Sequence, residues 1–450
     1  MNTPSPKPLW LKFLPAVIGS KISSNEGLIL AINNSGWLLF DKLVRMTLGL
    51  LVGAWVARYL GPAQYGELAY VLAYLAFFQA IALLGMDGIV VRDIVKDKEC
   101  AGEILGSAFT LRIIAGSLCW LLAIIVMALM NGWQHNSVYI TALAGSTLVF
   151  QVADTIDLWF QSQSQSRRTV LAKLIAYLIS NGVKIFLIIN KAPLIAFAAV
   201  MALDAFAAAI GLVYAYQRFP CAQYWQPIKK RTFILLRESW PFILSGLSII
   251  IYMRIDQIMI KELLGEQSLG IYAAVLPLSM LWSFIPMTLS VSLAPLVARK
   301  KKEGQVAYIN TLSAIFRGFA VLGWLICIPV ALISPCIVEN LFGPAYQSGS
   351  LVLSIIIFCN LFINMGVAQS LWILNEGKSK LSLYKTLIGA LTCIVANWTL
   401  IPVYGIYGAA VSAVLAQSVS TILANILLCR EIFYMQIKSL FFIKHKMKFI

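Results

Sequence analysis

Residues 104–130 read ILGSAFTLRIIAGSLCWLLAIIVMALM, a run in which Arg112 is the only charged residue. A helix needs about 20 apolar residues to cross the hydrocarbon core of a bilayer, and this run exceeds that length. The whole chain has the same character, because 60% of its 450 residues are hydrophobic and 12% are charged. Soluble domains carry about twice that share of charge. The sequence therefore predicts a membrane protein.

Twelve such runs follow one another along the chain. They cover residues 30–58, 66–91, 104–130, 137–162, 171–190, 194–217, 233–261, 269–297, 308–333, 349–374, 382–402 and 406–428. Lipid offers no water to backbone polar groups, so a spanning segment must be a helix or part of a closed barrel. These runs are too long and too uniformly apolar for alternating barrel strands. The predicted fold class is an all-α membrane protein with about twelve transmembrane helices.

Lysine and arginine lie mainly on one side of the predicted membrane. With the N-terminus placed in the cytoplasm, the inside segments hold 24 of the 35 lysines and arginines, and the outside segments hold Arg58, Lys191 and Lys261. Such an excess marks cytoplasmic loops. We therefore expect both termini to be cytoplasmic. We attribute the net charge of +16 to this signal and not to nucleic-acid binding.

Two glycine-containing joints repeat along the chain. The segments RYLGPAQYG (58–66) and ELLGEQSLG (262–270) align Gly61 with Gly265 and Gly66 with Gly270 at a constant offset of 204 residues. Both joints fall on the outer side, so the two halves would be parallel repeats of six helices, which is a transporter architecture. The expected organisation is an N-terminal cytoplasmic segment (1–29), a first lobe (30–217), a cytoplasmic linker (218–232), a second lobe (233–428) and a basic cytoplasmic tail (429–450).

The first span carries a polar stripe. Asn34, Trp37, Asp41 and Arg45 are spaced by three, four and four residues, which places them on one helical face, and Lys42 lies beside it. Ionisable groups within a span cost free energy unless they face a cavity or a partner. Asp41 is the one acid in this basic stripe, so we expect it to couple transport to an ion.

Further ionisable residues lie in the spans of the first half. Five are expected at one depth in the inner leaflet: Asp87, Arg112, Asp154, Asp157 and Lys173. They could form a cytoplasmic gate or clasps between helices without a transport role. Lys184 and Asp204, on neighbouring spans, leave the same two interpretations open. In the transport interpretation Asp204 is a second coupling carboxylate.

The second half is different, because cations outnumber acids in its spans. Arg254, Arg317 and Lys385 are accompanied by a single acid, Asp256. A buried cation without a carboxylate is costly, unless its ligand brings negative charge. Arginine suits phosphate because its planar fork binds two oxygens. We therefore expect an anionic substrate, although these side chains could instead snorkel or bind backbone carbonyls. The candidate substrate contacts are Arg45, Arg254, Arg317, Lys42, Asn34 and Trp37.

Metal and catalytic motifs are missing from the sequence. The two histidines, His135 and His445, lie in separate polar segments, and the eight cysteines include no CxxC pair. Free cysteines inside apolar runs are usually small core residues. We therefore expect no metal site, no cofactor and no catalytic residue.

Six stretches, taken together, resemble one family. They are RYLGPAQYG (58–66), LGMDGIVVRD (84–93), DLWFQ (157–161), RIDQI (254–258), FGPAY (342–346) and IPVYGIYGAA (401–410). In this order and at these topological places, the chain resembles the Wzx-type polysaccharide flippases of the multidrug/oligosaccharidyl-lipid/polysaccharide exporter superfamily.

This resemblance implies a V-shaped bundle of two six-helix lobes around a cationic cavity. It implies a multi-pass protein of the bacterial inner membrane that moves undecaprenyl-diphosphate-linked oligosaccharides to the periplasmic leaflet for O-antigen or exopolysaccharide synthesis. Coupling to a proton or sodium gradient is usual for the superfamily. The implied partners are the lipid-linked substrate, membrane lipid, and polysaccharide polymerase and chain-length proteins.

Two other functions remain open at this stage. A cation-coupled multidrug exporter shares the architecture, but its cavity would be rich in acids and aromatic residues. A polytopic glycan polymerase or ligase would carry a long periplasmic loop with catalytic residues. The longest predicted outside connection, 334–348, is about fifteen residues long. The sequence therefore favours a transporter over an enzyme.

Overall fold

The computed structural model describes residues 26–219 and 224–443, and for residues 26–35 and 379 it describes the backbone alone. The described residues are almost entirely helical and contain no strand, so the predicted all-α fold class is confirmed. The helices are α1 (Glu26–Ala82), α2 (Asp87–Lys96), α3 (Ala101–Asn131), α4 (Asn136–Gly145), α5 (Thr147–Phe150), α6 (Asp154–Ser162), α7 (Ser166–Ile189), α8 (Leu194–Gln217), α9 (Lys229–Leu264), α10 (Glu266–Met280), α11 (Phe284–Glu303), α12 (Gln305–Phe342), α13 (Gly349–Ile356), α14 (Cys359–Glu376), α15 (Ser379–Ser418), α16 (Asn425–Leu428) and α17 (Arg430–Leu440).

Ten stretches of the described residues are long and apolar enough to cross a membrane. Two of them are much longer than one crossing requires, since Gly36–Lys96 has 61 residues and Lys380–Leu428 has 49. Each contains a glycine outside helical geometry, Gly61 at φ 73° and ψ 169° and Gly405 at φ 60° and ψ −140°. One crossing takes about 20 residues. Each long stretch therefore supplies two crossings, and the described part of the chain contains twelve, as predicted.

The first and seventh crossings end in the same backbone geometry. Gly61 has φ 73° and ψ 169°, and Gly265 has φ 84° and ψ 177°, a region that glycine adopts without strain. Five residues further on, the two joints cross so closely that a Cβ on Gly66 or on Gly270 would collide with the backbone of the other joint. The two glycines that the sequence aligns are therefore in reciprocal contact, and the six-helix repeat itself stays a prediction.

Contacts within the chain define two compact units. The first consists of the described residues up to Gly49 together with Ile81–Ile243, and the second of Leu50–Ala80 together with the chain from Leu244. The predicted lobes follow chain order, whereas these units do not, because residues 50–80 group with the second half. The glycine crossing supplies the physical reason, since it packs this stretch against the joint between the seventh and eighth crossings.

Part of the predicted linker, 218–232, is bound to α3. The Gln226 backbone N–H donates to the Gly102 carbonyl at 3.2 Å, and the Ile228 N–H donates to Ser107 Oγ at 3.1 Å. These hydrogen bonds satisfy polar backbone groups of the linker that helix geometry leaves free. The described part of the linker is therefore attached to the first unit.

The predicted tail, 429–450, contains a helix. Its helix α17 packs on α12, where Trp324 Nε1 donates to the Leu440 carbonyl at 3.1 Å. Gln436 on the same helix is fully buried. Residues 1–25 of the predicted N-terminal segment, residues 220–223 of the linker, and residues 444–450, with His445, lie outside the described residues.

Candidate functional site

A polar cluster in the first unit joins α1 to α7. Asp41 and Arg45 lie one helical turn apart, and Arg45 Nε donates to Asp41 Oδ1 at 2.8 Å. The Arg45 guanidinium lies 4.8 Å from the centroid of the Tyr177 ring, whose hydroxyl donates to the Arg45 carbonyl at 3.0 Å. Gly49 leaves room for this contact, because a Cβ there would lie 2.8 Å from the Tyr177 hydroxyl oxygen.

Arg45 retains unused hydrogen-bonding capacity. Its Nη2 is buried and has no hydrogen-bond partner among the described residues. A buried donor without an acceptor costs about 1–3 kcal/mol, and more on a charged group. Carboxylate and phosphate oxygens match the guanidinium fork. Arg45 therefore has a donor that Asp41 does not use, and the binding of an anionic ligand by Arg45 stays a prediction.

Lys184 on α7 and Asp204 on α8 extend this cluster. Both side chains are partly buried, and the charges of Lys184 and Arg45 act on the Asp204 carboxylate. The cluster therefore contains two acids and two cations, contributed by the first, fifth and sixth crossings. Periodicity indicated the polar face of α1 but could not indicate that α7 and α8 lie opposite it.

The rest of the predicted stripe on α1 has different surroundings. Lys42 is exposed. The Trp37 ring is partly buried under the Arg167 guanidinium, 5.0 Å from the ring centroid. The side chain of Asn34 lies outside the described part of the structure. The predicted substrate contacts of these three residues stay predictions.

Two of the five predicted inner-leaflet charges, Arg112 and Asp87, form an ion pair. Arg112 Nη2 contacts Asp87 Oδ1, and the Arg112 side chain is 2% exposed whereas the Asp87 side chain is 62% exposed. The pair joins α3 to the first turn of α2. A cation buried this deeply requires its acidic partner, because removal of the acid would leave an uncompensated charge.

The other three predicted inner-leaflet charges form a group of one lysine and two acids. Lys173 Nζ lies 2.8 Å from Asp154 Oδ1 and 2.9 Å from Asp157 Oδ2, which joins α7 to the first turn of α6. Gln161 donates to Asp157 at 3.3 Å. The structure thus divides the five inner-leaflet charges into two ion-paired groups. Their role as a gate stays a prediction.

The side chains of two cations in the second unit form neither an ion pair nor a hydrogen bond within the described chain. Arg254 on α9 is partly buried, and Arg317 on α12 is exposed. The acid closest in sequence to Arg254 is Asp256, which accepts hydrogen bonds from the Tyr272 hydroxyl at 2.6 Å and from the Gln257 N–H at 2.8 Å. The charge of Arg254 also acts on the Asp256 carboxylate, so Arg254 is not isolated from that acid. The predicted substrate contacts of Arg254 and Arg317 stay predictions.

Lys385 belongs to a buried amide network that the sequence did not predict. It is 6% exposed, and its Nζ donates to Gln369 Oε1 and, at 3.2 Å, to the Thr421 carbonyl. That carbonyl lies in a π-helical turn, Val419–Leu423, and also accepts from Gln436 Nε2 at 3.1 Å. A turn of this kind frees carbonyl groups from the regular helix pattern. The network therefore attaches α17 to the tenth, eleventh and twelfth crossings.

A cavity of about 270 Å³ lies inside the second unit. Its lining is mainly apolar, and Asp256, Tyr252 and Gln417 are among its polar residues. The Tyr252 hydroxyl donates to Gln417 Oε1. Cavities that combine an apolar lining with a few polar groups are common ligand sites. Asp256 was noted in the sequence as a lone acid, but its position in a cavity depends on the packing of several crossings.

The fold of the chain is similar to the folds of solved membrane proteins. The chain is similar to a multidrug resistance MATE family transporter of the MOP superfamily in an inward-facing conformation, with a TM-score of 0.69, 16% identity, and coverage of 88% of this chain and 96% of that one. It is also similar to the lipid II flippase MurJ in an inward closed conformation, with a TM-score of 0.72, 13% identity and coverage of 91% of each chain. At these identities the likeness shows the fold.

The family follows from the sequence matches. The model of the polysaccharide biosynthesis protein family matches residues 31–301, and the MatE model matches residues 241–399. The chain belongs to the polysaccharide biosynthesis protein family, and the predicted resemblance to superfamily flippases is confirmed. The chain is 26% identical over 171 residues to the capsular polysaccharide biosynthesis protein CapF of Staphylococcus aureus. This matched region covers 37% of this chain and 43% of that protein. The chain is also 29% identical over 197 residues to an uncharacterized membrane protein of Methanocaldococcus jannaschii. The matched regions span less than half the length of these two curated relatives.

Proposed function

We propose that this multi-pass membrane protein is a flippase for lipid-linked oligosaccharides and not an enzyme. Its substrate would be an undecaprenyl-diphosphate-linked repeat unit, moved from the cytoplasmic to the periplasmic leaflet of the bacterial inner membrane for O-antigen or exopolysaccharide synthesis. Family membership and the fold support transport in polysaccharide synthesis. Polysaccharide polymerase and chain-length proteins would be its partners in that pathway.

The observation that carries the proposal is the unused capacity of membrane-embedded arginines. Arg45 has a buried Nη2 without an acceptor in the described chain, and neither Arg254 nor Arg317 forms an ion pair there. A diphosphate offers several oxygens to such groups, and charge-assisted bonds to them are strong. A neutral or cationic substrate would leave these charges unsatisfied. The geometry therefore favours an anionic head group.

The acids of the first unit serve the transport cycle in this proposal. Asp41 is held by Arg45, and the Asp204 carboxylate lies within the field of Lys184 and Arg45. Neutralisation of either acid by a proton, or binding of a sodium ion, would release cations to the substrate and shift the conformational equilibrium. The ion pairs of Asp87 with Arg112 and of Asp154 and Asp157 with Lys173 would open and close the cytoplasmic side.

Deletion of the gene in the source bacterium tests this function. We expect undecaprenyl-diphosphate-linked oligosaccharide to accumulate in the cytoplasmic leaflet and surface polysaccharide to be lost, with both restored by the wild-type gene. Mass spectrometry of extracted lipids and surface-glycan staining measure these results. A deletion strain with normal surface polysaccharide and no accumulated intermediate would contradict the proposal.

One observation favours multidrug export as a second candidate. The MatE model matches residues 241–399, and the mainly apolar cavity of the second unit holds the acid Asp256, which suits an organic cation. Efflux of ethidium from cells that express the wild-type protein tests this function. If efflux occurs and is abolished by Asp256→Asn, while surface polysaccharide of the deletion strain is normal, the protein is an exporter.

A further inference from the structure

An open apolar groove runs between α11 and α12 on the surface of the second unit. Its volume is about 440 Å³. Its walls include Leu289, Leu293 and Leu296 from α11 and Ala314, Gly318 and Leu322 from α12. Thr311 also lines it, and the Thr311 hydroxyl donates to the Ala307 carbonyl of its own helix at 2.8 Å. The described lining therefore offers its occupant methyl and methylene groups rather than free polar groups, which fits a hydrocarbon chain.

The groove has space for an occupant next to Gly318. A Cβ built on Gly318 would meet no atom within 4 Å. A side chain at this position would therefore start in open space on the wall of the groove. The groove extends towards the basic loop between α11 and α12, because Leu296 lies four residues before Lys300, and the charge distribution predicts this loop to be cytoplasmic.

Positive charge lies at the basic-loop end of the groove. The spacing along α11 is four, three and four residues from Leu289 through Leu293 and Leu296 to Lys300. This helical spacing places Lys300 on the same face of α11 as the three leucines of the groove. Arg299 beside it has a side chain that is 70% exposed. Both cations share one carboxylate, because Lys300 Nζ lies 2.5 Å and Arg299 Nε lies 3.7 Å from Glu303. The groove end therefore carries more positive than negative charge.

We propose that this groove binds the hydrocarbon tail of a polyprenyl diphosphate, with the diphosphate beside Arg299 and Lys300. This inference rests on the proposed flippase function and adds a binding surface for the lipid part of its substrate. A diphosphate has more negative charge than the single phosphodiester of a bilayer phospholipid. Two cations that share one glutamate therefore favour the diphosphate lipid over a phospholipid of the same leaflet.

Photolabelling of the full chain in lipid nanodiscs tests the groove. A diazirine-bearing polyprenyl diphosphate should label peptides of α11 and α12, and an excess of unlabelled polyprenyl diphosphate should reduce that labelling at least fivefold. An equal excess of phosphatidylglycerol should leave it unchanged. Gly318→Phe should reduce labelling at least fivefold. Gly182→Phe should not, although Gly182 on α7 also has no atom within 4 Å of a built Cβ.

Three results would overturn the assignment. They are labelling confined to other peptides, equal competition by phosphatidylglycerol, and unchanged labelling in Gly318→Phe with a wild-type thermal midpoint. Equal competition would identify the occupant as bilayer phospholipid. The phenotype of the deletion strain tests the flippase function independently of the groove assignment. If the deletion strain loses surface polysaccharide but the groove is not labelled, the flippase function stands and the groove assignment alone is wrong.

Discussion

Gly66 and Gly270 touch through their backbones where the second and eighth crossings begin. A Cβ on Gly66 would lie 2.8 Å from the Gly270 nitrogen, and a Cβ on Gly270 would lie 3.0 Å from the Gly66 nitrogen. A reciprocal contact of this kind is what the predicted parallel repeat would produce. Glycine at both positions permits the close approach, as small residues do wherever helices meet closely in membranes.

Substitution at this crossing should destabilise the protein. In Gly66→Ala or Gly270→Ala the new methyl group meets backbone, which cannot move aside as a side chain can, so we expect a loss of at least about 1–3 kcal/mol. Thermal unfolding in detergent measures the effect. Gly53→Ala is the matched control, because its Cβ would meet nothing within 4 Å. Equal midpoints for all three variants would contradict the close contact.

The Asp87–Arg112 pair predicts an asymmetry between its two partners. Asp87→Asn leaves the buried guanidinium of Arg112 without its counter-charge and should cost about 1–3 kcal/mol. Arg112→Met should cost less, because Asp87 is 62% exposed and remains hydrated. The thermal midpoints of the two purified variants give the comparison. If Arg112→Met proves the less stable variant, the pair does not control the stability of the α2–α3 contact in this way.

Asp41 should be required for transport but not for folding. Asp41→Asn removes the charge that Arg45 Nε contacts at 2.8 Å while it keeps the size of the side chain. We expect surface polysaccharide to fall at least tenfold in a deletion strain complemented with this variant, with wild-type amounts of protein in the membrane. Asp41→Glu should restore much of the activity, since it restores the charge. Full complementation by Asp41→Asn would show that Asp41 is not the coupling acid.

Arg317 allows a test of the cationic site without a large effect on stability. The side chain is exposed and has no partner in the described chain, so its replacement should leave the fold intact. Arg317→Glu should abolish surface polysaccharide through repulsion of the diphosphate, and Arg317→Lys should retain a part of it, because lysine keeps the charge but loses the fork. Lys230→Glu, at an exposed position of α9, is the control for charge reversal. Normal polysaccharide in Arg317→Glu would exclude this residue from the substrate path.

Much of the site could be anticipated from helix periodicity, but only one helix at a time. The spacing of Asp41 and Arg45 predicted a shared face, and the structure places them in direct contact. Depth along the spans also grouped the inner-leaflet charges, yet Arg112 pairs with Asp87 while Lys173 pairs with Asp154 and Asp157. Periodicity shows which way a side chain points and does not show which helix it meets.

The sequence by itself determined the class of protein, the twelve crossings and the alignment of Gly66 with Gly270. Hydrophobic length and glycine spacing are local properties, and a lipid environment leaves the helix as their outcome. Only the tertiary structure decided that residues 50–80 belong with the second unit, that Lys385 is held by amides, and that α11 and α12 leave a groove. The first two features depend on the packing of helices far apart in the chain, and the groove depends on the shapes of the side chains that two consecutive helices bring together.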